Sequence, residues 1–272
     1  YLLNDQGERF VNELATRDEV SRSIGRIINE GGKVYLDMRH LGENTIELKL
    51  PQERHVCRTY AHLDPVYDLI PIKPSAHYTM GGIAVNENGE TKVAGLFACG
   101  EAASFGLHGA NRLGGNSLLE IVVFGERVGR EASRYCLEHP LEDDYVYLPF
   151  LEEQRAFVEN VMNLPCKINF YDKKVHLGKI LSVNVGLFKE ERYLKAVMGF
   201  IRQTQDEYPF MGVRDKSRVM NTNLVEFIEF GNMLQLAEMV VVASLNRMES
   251  RGSHYRTDFP EKNDEQFCEH SM

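Results

Sequence analysis

The sequence predicts a multidomain α+β protein, because its character changes twice along 272 residues. Short apolar strands and helical stretches alternate over residues 1–74. A glycine-rich segment follows over 75–135, and from about residue 136 onward the pattern is helical and more charged. The proline-rich stretch DPVYDLIPIKP at 64–74 is typical of an interdomain connection.

Composition excludes several classes of protein. The chain carries 31 basic and 40 acidic residues, a net charge of −9, whereas a nucleic-acid or anionic-membrane partner requires a basic excess. No apolar run approaches the roughly 20 residues that span a bilayer, and no signal-peptide pattern opens the chain. The five cysteines are scattered and form no CxxC, so we expect no metal site, no disulfide framework and a reducing, cytoplasmic compartment.

The first 74 residues contain recognisable element signals. YLLNDQGERFV at 1–11 predicts a hairpin, and Thr16 with Glu19 has the form of a capping box that starts a helix ending at Gly31. VYLDM at 34–38 predicts a strand. A helical stretch over 45–62, interrupted by Pro51, follows it.

The rest of the chain reads as turns, one strand and several helices. Residues 86–89 predict a hairpin turn, and VAGLFACGEAAS at 93–104 predicts a buried strand in which Cys99 is small core filler. Ser117 and Glu120 form a second capping box, so we expect Ser117 to be the N-cap of a helix that is apolar nearly all round and therefore buried. The remaining segments are a linker at 139–149, surface helices at 150–163 and 187–207, a long apolar-faced helix at 221–248 and a polar tail.

The glycine-rich loop before that helix is the strongest functional signal. Four glycines between residues 106 and 115 permit positive φ and close backbone approach, and the following helix start favours an anion or a group that becomes anionic. A tight structural loop explains the same pattern equally well. The loop lacks the G-x-x-x-x-G-K-[ST] motif, which excludes a P-loop.

Three side chains in glycine-rich or helix-start positions are candidates for chemistry. Arg112 lies in an otherwise neutral segment between Glu101 and Glu120, which suits bidentate recognition of a carboxylate, although an arginine is more often a surface residue. His77 lies in HYTMGG, where a structural role is the commoner one. Arg17 is the first residue of the helix that follows Thr16.

The motifs HYTMGGI and HGANRLGGNSL, with ESRGSHYRTDFPEKNDEQF far downstream, resemble the flavoprotein subunits of fumarate reductase and succinate dehydrogenase. L-aspartate oxidases share much of the pattern. NTNLVEFIEFGNMLQLAE is more similar to the reductase and dehydrogenase branch. The resemblance covers most of the chain in the same order.

This resemblance implies substrate-site roles for three residues and a cofactor. His77 and Arg112 match residues that hold the carboxylates of fumarate or succinate. Arg17 matches the arginine that moves a proton to or from a substrate carbon. The implied cofactor is FAD.

Cofactor contacts are implied at two further places. Glu101 matches a ligand of the FAD ribose. Asn116, Ser117 and Leu118 match the helix start at which the backbone meets the isoalloxazine ring. The tail residues Arg251, His254 and Arg256 of this family pattern could pack against the flavin domain, meet a partner subunit or remain solvated.

The resemblance also implies domains, partners and a missing part. Residues 1–74 would end a capping domain, 75–135 would be the returning part of an FAD-binding α/β domain, 136–250 a helical domain and 251–272 a tail. The chain contains no G-x-G-x-x-G motif followed by a helix, so we expect a C-terminal portion in which the N-terminal Rossmann half is absent. Expected partners are an iron–sulfur subunit and a membrane quinone-reactive subunit, which place the protein on the cytoplasmic side of the inner membrane.

Two alternatives to the fumarate and succinate reading remain open. One is an L-aspartate oxidase, whose site must also bind the substrate amino group. The other is a folded helical or interaction domain that does not retain FAD and is therefore not catalytic by itself.

Overall fold

The computed structural model describes residues 1–140 and 147–271, and it divides into two compact units. The first unit comprises residues 1–78, and the second begins at Thr79. The mixture of strands and helices with a long helical portion agrees with the predicted class. Residues 141–146 of the predicted linker lie outside the described part of the chain. The predicted domain boundaries stay predictions.

A three-stranded antiparallel sheet organises the first unit. Strand β1 (Leu2–Leu3) pairs with β2 (Val34–Leu36), which pairs in turn with β3 (Ile70–Ile72). Helix α1 (Arg17–Asn29) packs Ile24 and its apolar neighbours against Leu2 and Val34. Alternating strand residues and one helix face therefore share a small core.

The helix boundaries of this unit follow local chemistry. Thr16 is the N-cap of α1 as predicted, but its side chain makes no capping hydrogen bond, so the predicted capping box is wrong in that detail. Gly31, with φ of 86°, ends the helix. Helix α2 (Glu43–Lys49) stops before Pro51, which is the first residue of α3 (Pro51–Val56), because proline fits a first helical position.

A small parallel pair and a hairpin open the second unit. Strands β4 (Ile83–Ala84) and β5 (Ala103–Ser104) pair in parallel. The predicted turn at 86–89 is present, since the N–H of Gly89 donates to Asn86 O (3.0 Å). This turn packs against helix α4 (Asn116–Glu138), where the guanidinium of Arg127 donates to Asn88 Oδ1.

Two burial predictions in this region are wrong. The stretch 93–104 is not a buried strand, because only Ala103–Ser104 pairs as one, and Cys99 is exposed rather than core filler. Helix α4 is also not buried on all sides. Leu118, Leu119 and Val122 are about two-thirds exposed. Apolar composition alone does not say whether another element covers a helix, which is why the prediction fails.

The main core is helical. It lies among α5 (Leu148–Asn163), α6 (Phe170–Asn184), α7 (Glu191–Glu207) and α8 (Thr222–Asn246). The segment that becomes α6 carried no prediction of its own. A surface helix was expected over 187–207. Helix α7 instead has one fully buried face, so this expectation is wrong for that face. The largest buried core side chains are Phe170, Leu177, Leu194, Ile201, Met211, Phe227, Phe230 and Leu234.

Helix α8 has the length and apolar composition of a membrane-spanning helix. Its buried line, however, is the centre of the helical core, and Asn221 caps its start by accepting from the N–H of Leu224 (2.8 Å). The core helix of a protein without membrane spans can have the same length and composition, so these two properties are weak evidence for a membrane span.

The tail after α8 is ordered by buried charge rather than left as solvated chain. Arg256 is 1% exposed. It donates to Asp258 (2.7 Å) and to the carbonyl of Ser244 (2.7 Å) at the end of α8, where a cation is favourable. Asp258 accepts from the N–H of Glu191 (2.9 Å), the first residue of α7. The tail therefore joins the ends of two core helices before the short helix α9 (Asp264–Phe267).

The stability of this tail should depend on the protonation of His254. Burial, with smaller effects of the cations Lys189, Arg256 and Arg247, lowers the pKa of His254 to about 4 from 6.5. The unfolded chain therefore binds a proton at higher pH than the folded one, and stability is lost as pH falls from 6.5 toward 4. We expect urea unfolding to show a loss on the order of 2 kcal/mol, after allowance for partial exposure.

His254→Gln keeps a donor for the carbonyl of Arg247 but does not titrate, so its unfolding free energy should vary less between pH 6.5 and 4.5. The pKa of Glu249 is about 2, chiefly because Arg251 donates to it, so its contribution disappears only below this window. An equal loss in the glutamine variant would show that another group controls the acid sensitivity.

Candidate functional site

The glycine-rich loop runs directly into α4 and turns three times through backbone that only glycine adopts easily. Gly106, Gly109 and Gly115 have φ of 76°, 55° and 84°. A side chain built at Gly109 or Gly115 would meet open space, so at these two positions glycine is required by conformation and not by crowding. The loop therefore brings bare backbone to the start of α4.

The helix starts two residues earlier than predicted. Gly115 is the N-cap and Asn116 is the first helical residue, so the prediction that Ser117 is the N-cap is wrong. Ser117 and Leu118 instead occupy the first turn, and the N–H of Leu118 donates to the carbonyl of Gly115 (3.0 Å). The positive end of the helix dipole thus lies at Asn116 and Ser117.

Glu120 does not complete a capping box, because a buried histidine takes its carboxylate. Nε2 of His108 lies 2.6 Å from Oε2 of Glu120, and the two side chains are 10% and 2% exposed. This pair fastens the middle of the loop to the second turn of α4. Sequence reasoning missed it, although the signal was present in a lone carboxylate within the apolar run that begins α4.

Arg112 lies between that histidine and the helix start. Its side chain belongs to a half-buried residue, and its Nη1 donates to the carbonyl of the adjacent Leu113 (3.1 Å). A guanidinium is planar and carries several N–H donors, which is the donor geometry that matches a carboxylate.

Glu101 occupies the turn before β5 and is exposed. Its Oε1 accepts from the N–H of Thr79 (2.8 Å), which joins this turn to the residues that lead into β4. Glu101, Arg112 and the start of α4 all belong to the second unit, and the predicted cofactor roles of Glu101, Asn116, Ser117 and Leu118 stay predictions.

The two other predicted site residues belong to the first unit. Arg17 is the first residue of α1 and is exposed, and His77 is exposed close to the boundary at Thr79. Each is accessible to a small molecule from its own unit. Their roles in a common site stay predictions.

The start of α4 suits one edge of a flat, partly anionic cofactor. The helix dipole favours negative charge there, while the exposed side chains of Leu118 and Leu119 provide apolar surface beside it. A Cβ built at Gly109 or Gly115 would meet no atom within 4 Å, so the backbone there is open to a bound group. The residues present thus fit the isoalloxazine edge of FAD, whereas no dinucleotide motif for its pyrophosphate occurs in the sequence.

Comparison with known families identifies the class of protein. Residues 1–118 match the family model described as an FAD binding domain, and residues 174–272 match the model described as the fumarate reductase flavoprotein C-terminal domain. These matches confirm FAD as the predicted cofactor. The chain belongs to the family of fumarate reductase and succinate dehydrogenase flavoprotein subunits.

Individual relatives support this assignment. The chain is 35% identical over 304 residues to the fumarate reductase flavoprotein subunit of Mycobacterium tuberculosis, covering 100% of this chain and 52% of that protein. It is 39% identical over 289 residues to the 8-methylmenaquinol:fumarate reductase flavoprotein subunit of Wolinella succinogenes, covering 100% and 47%. The chain therefore spans about half the length of the curated relatives it matches.

A solved structure shows the same fold. An E. coli quinol fumarate reductase chain superimposes with a TM-score of 0.89 at 31% identity, over 98% of this chain and 50% of that one. The similarity extends over both units, so the order of elements described above is that of the family.

The buried pair between loop and helix should matter far more to stability than an exposed pair on the same helix. Glu120→Ala leaves the buried His108 without its hydrogen bond to this carboxylate, and we expect a loss of about 1–3 kcal/mol in the free energy of unfolding. Glu126→Ala removes an exposed partner of Arg130 and should change it by less than about 0.5 kcal/mol. Chemical denaturation measures both, and equal losses would contradict the structural role of the buried pair.

Proposed function

We propose that the flavoprotein containing this chain interconverts fumarate and succinate. The observation that carries the proposal is the position of Arg112, in a neutral glycine-rich loop immediately before the start of α4. A dicarboxylate requires fixed cations, and a guanidinium beside exposed backbone recognises a carboxylate in a defined orientation. Membership of the family supports the same substrate class.

In this proposal Arg112 and His77 hold the substrate carboxylates. Addition of a hydride to one alkene carbon moves negative charge toward the carboxylate at the other end. A guanidinium and an imidazole that bind this carboxylate stabilise the charge, and more strongly in a site that excludes water. The same contacts orient succinate for the reverse reaction.

Arg17 is the proposed proton carrier. Fumarate reduction adds a proton to the second alkene carbon, and succinate oxidation removes it. Arginine is ordinarily protonated at all working pH values, so it serves best as one member of a relay that passes the proton on during the reaction.

The cofactor contacts belong to the second unit. Glu101 binds the ribose in this proposal, while Asn116, Ser117 and Leu118 present the helix start and its apolar flank to the isoalloxazine. When bound, FAD supplies the group that accepts and donates the hydride. The chain's own contribution is a positive helix end that favours negative charge on the reduced ring.

The proposed partners are an iron–sulfur subunit and a membrane quinone-reactive subunit, which hold the protein at the cytoplasmic face of the inner membrane. The names of its relatives support this, since the Wolinella protein is an 8-methylmenaquinol:fumarate reductase and the E. coli structure is a quinol fumarate reductase. The net charge of −9 agrees with membrane contact through partners rather than through anionic lipid.

The proposed organisation has four parts. Residues 1–74 end the capping domain, 75–135 return to the FAD-binding domain, 136–250 form the helical domain and 251–272 are the tail. We expect the chain by itself to retain FAD poorly and to be inactive, because the backbone motif that holds the pyrophosphate does not occur in it.

The substrate of the FAD-loaded flavoprotein containing this chain separates the two enzyme readings. We expect benzyl viologen, reduced chemically, to be oxidised by fumarate, and succinate to reduce an artificial acceptor. L-aspartate should give no turnover. Arg112 and His77 are proposed to bind carboxylates, and residues 102–119 contain no acidic side chain that could bind the amino group of L-aspartate. Turnover of L-aspartate without succinate would establish the oxidase alternative instead.

Arg17→Lys in the same protein tests the proton step. Lysine keeps the charge but not the length or planarity of guanidinium, and loss of a positioned proton donor lowers kcat by about 10²- to 10⁴-fold. Arg26→Lys, an exposed change in the last turn of α1, is the matched control and should retain full activity. An Arg17→Lys enzyme with most of its activity would exclude the proposed role.

A further inference from the structure

The turn at residues 251–254 of the tail contacts the glycine-rich loop directly. Ser253 donates to the carbonyl of Ala110 twice, through its backbone N–H (3.0 Å) and through its hydroxyl (3.0 Å). The two segments are 143 residues apart in sequence. Ala110 lies two residues before Arg112, so this doubly accepted carbonyl is within the segment proposed to hold substrate.

The neighbouring glycine permits this contact for two separate reasons. Gly252 has φ of 56°, and a Cβ built there would lie 2.4 Å from the oxygen and 2.7 Å from the carbonyl carbon of Ala110. No side chain fits in that gap without moving the loop backbone. A second contact lies further along the tail, where the imidazole of His270 is 3.2 Å from a Cβ built at Gly106.

Hydrogen bonds and ion pairs hold the turn at residues 251–254 in place. Two backbone hydrogen bonds between Arg251 and His254 close it (2.8 and 3.1 Å). The guanidinium of Arg251 makes a bidentate contact with the fully buried carboxylate of Glu249 (2.7 and 2.9 Å) and a further bond to Asp264. Glu249 also accepts from Arg247 (2.6 Å) at the end of α8. The turn is therefore anchored to the helical core.

We propose that Gly252 and Ser253 are positioning residues for the substrate site, which clamp the carbonyl of Ala110 so that Arg112 is held in its carboxylate-binding orientation. This inference rests on the proposed function. A loop rich in glycine has many accessible conformations, and a fixed point at Ala110 removes most of them before substrate binds. The tail thus connects the glycine-rich loop to the helical core, and this connection restricts the conformations of the loop.

Gly252→Ala in the FAD-loaded flavoprotein tests the clamp. The added methyl group must displace Ala110, and a displacement of about 1 Å at a substrate contact costs up to roughly 100-fold in efficiency. We expect kcat/KM for fumarate and for succinate to fall at least about tenfold, mainly through KM, because binding of the ground-state carboxylate is lost. Gly7→Ala, which places alanine at φ of 76° with no neighbour, controls for backbone strain and should leave KM unchanged.

Ser253 provides a milder pair of variants. Ser253→Ala removes one of the two donors and should raise KM about two- to fivefold, whereas Ser253→Thr keeps the hydroxyl and should restore the wild-type value. Ser182→Ala, which removes a comparable hydroxyl-to-carbonyl bond within α6 (2.8 Å), is the matched control and should have no effect on KM.

Amide hydrogen exchange gives a readout that does not depend on turnover. Faster exchange over residues 109–113 is expected in Gly252→Ala and Ser253→Ala, with unchanged exchange in the core of α7 and α8. Wild-type KM or wild-type exchange of the loop in both variants would overturn the clamp. Failure of the wild-type protein to turn over fumarate or succinate would overturn the proposed function instead, so the two failures are distinct.

Discussion

Glu249 carries a carboxylate with no exposed side-chain surface, and it is stabilised by donors from three directions. Arg247 reaches it from the end of α8, Arg251 from the tail turn, and the N–H of Asn263 (2.9 Å) from the approach to α9. A buried charge is tolerated only when it is paired and hydrogen-bonded. Any conformation of the tail that removes these donors would therefore be strongly destabilised. The tail path, and through it the support of the glycine-rich loop, depends on this one group.

The glycine-rich loop is held from both sides by contacts of different kinds. A buried hydrogen bond to Glu120 fastens His108 to α4, and hydrogen bonds from Ser253 fasten Ala110 to the tail. Arg112 follows both attachment points along the chain. Since glycine-rich backbone has little conformational preference of its own, the orientation of Arg112 is a property of the surrounding unit. The two attachments thus give a flexible, glycine-rich loop the fixed geometry that binding of a carboxylate by Arg112 requires.

Some features followed correctly from local sequence, and others did not. The start of α1 after Thr16, the break at Pro51 and the turn ending at Gly89 depend on neighbouring residues alone, and all three are present. The predicted N-cap at Ser117 failed because Glu120, its supposed reciprocal partner, pairs with His108 instead. Burial of Cys99 and of the whole of α4 failed because burial depends on what lies opposite, which apolar composition does not report.

The sequence by itself indicated the family and its cofactor, through the resemblance of its motifs, and it marked the candidate residues, because motifs, glycine positions and helix signals are properties of the sequence alone. Only the tertiary structure decided which polar groups meet. In the structure His108 pairs with Glu120, and Ser253 donates to Ala110. The polar tail is packed and ordered, whereas the sequence did not decide whether it packs or remains solvated. The reason is physical: hydrogen bonds and ion pairs between segments far apart in sequence form only when a packed core brings their elements together.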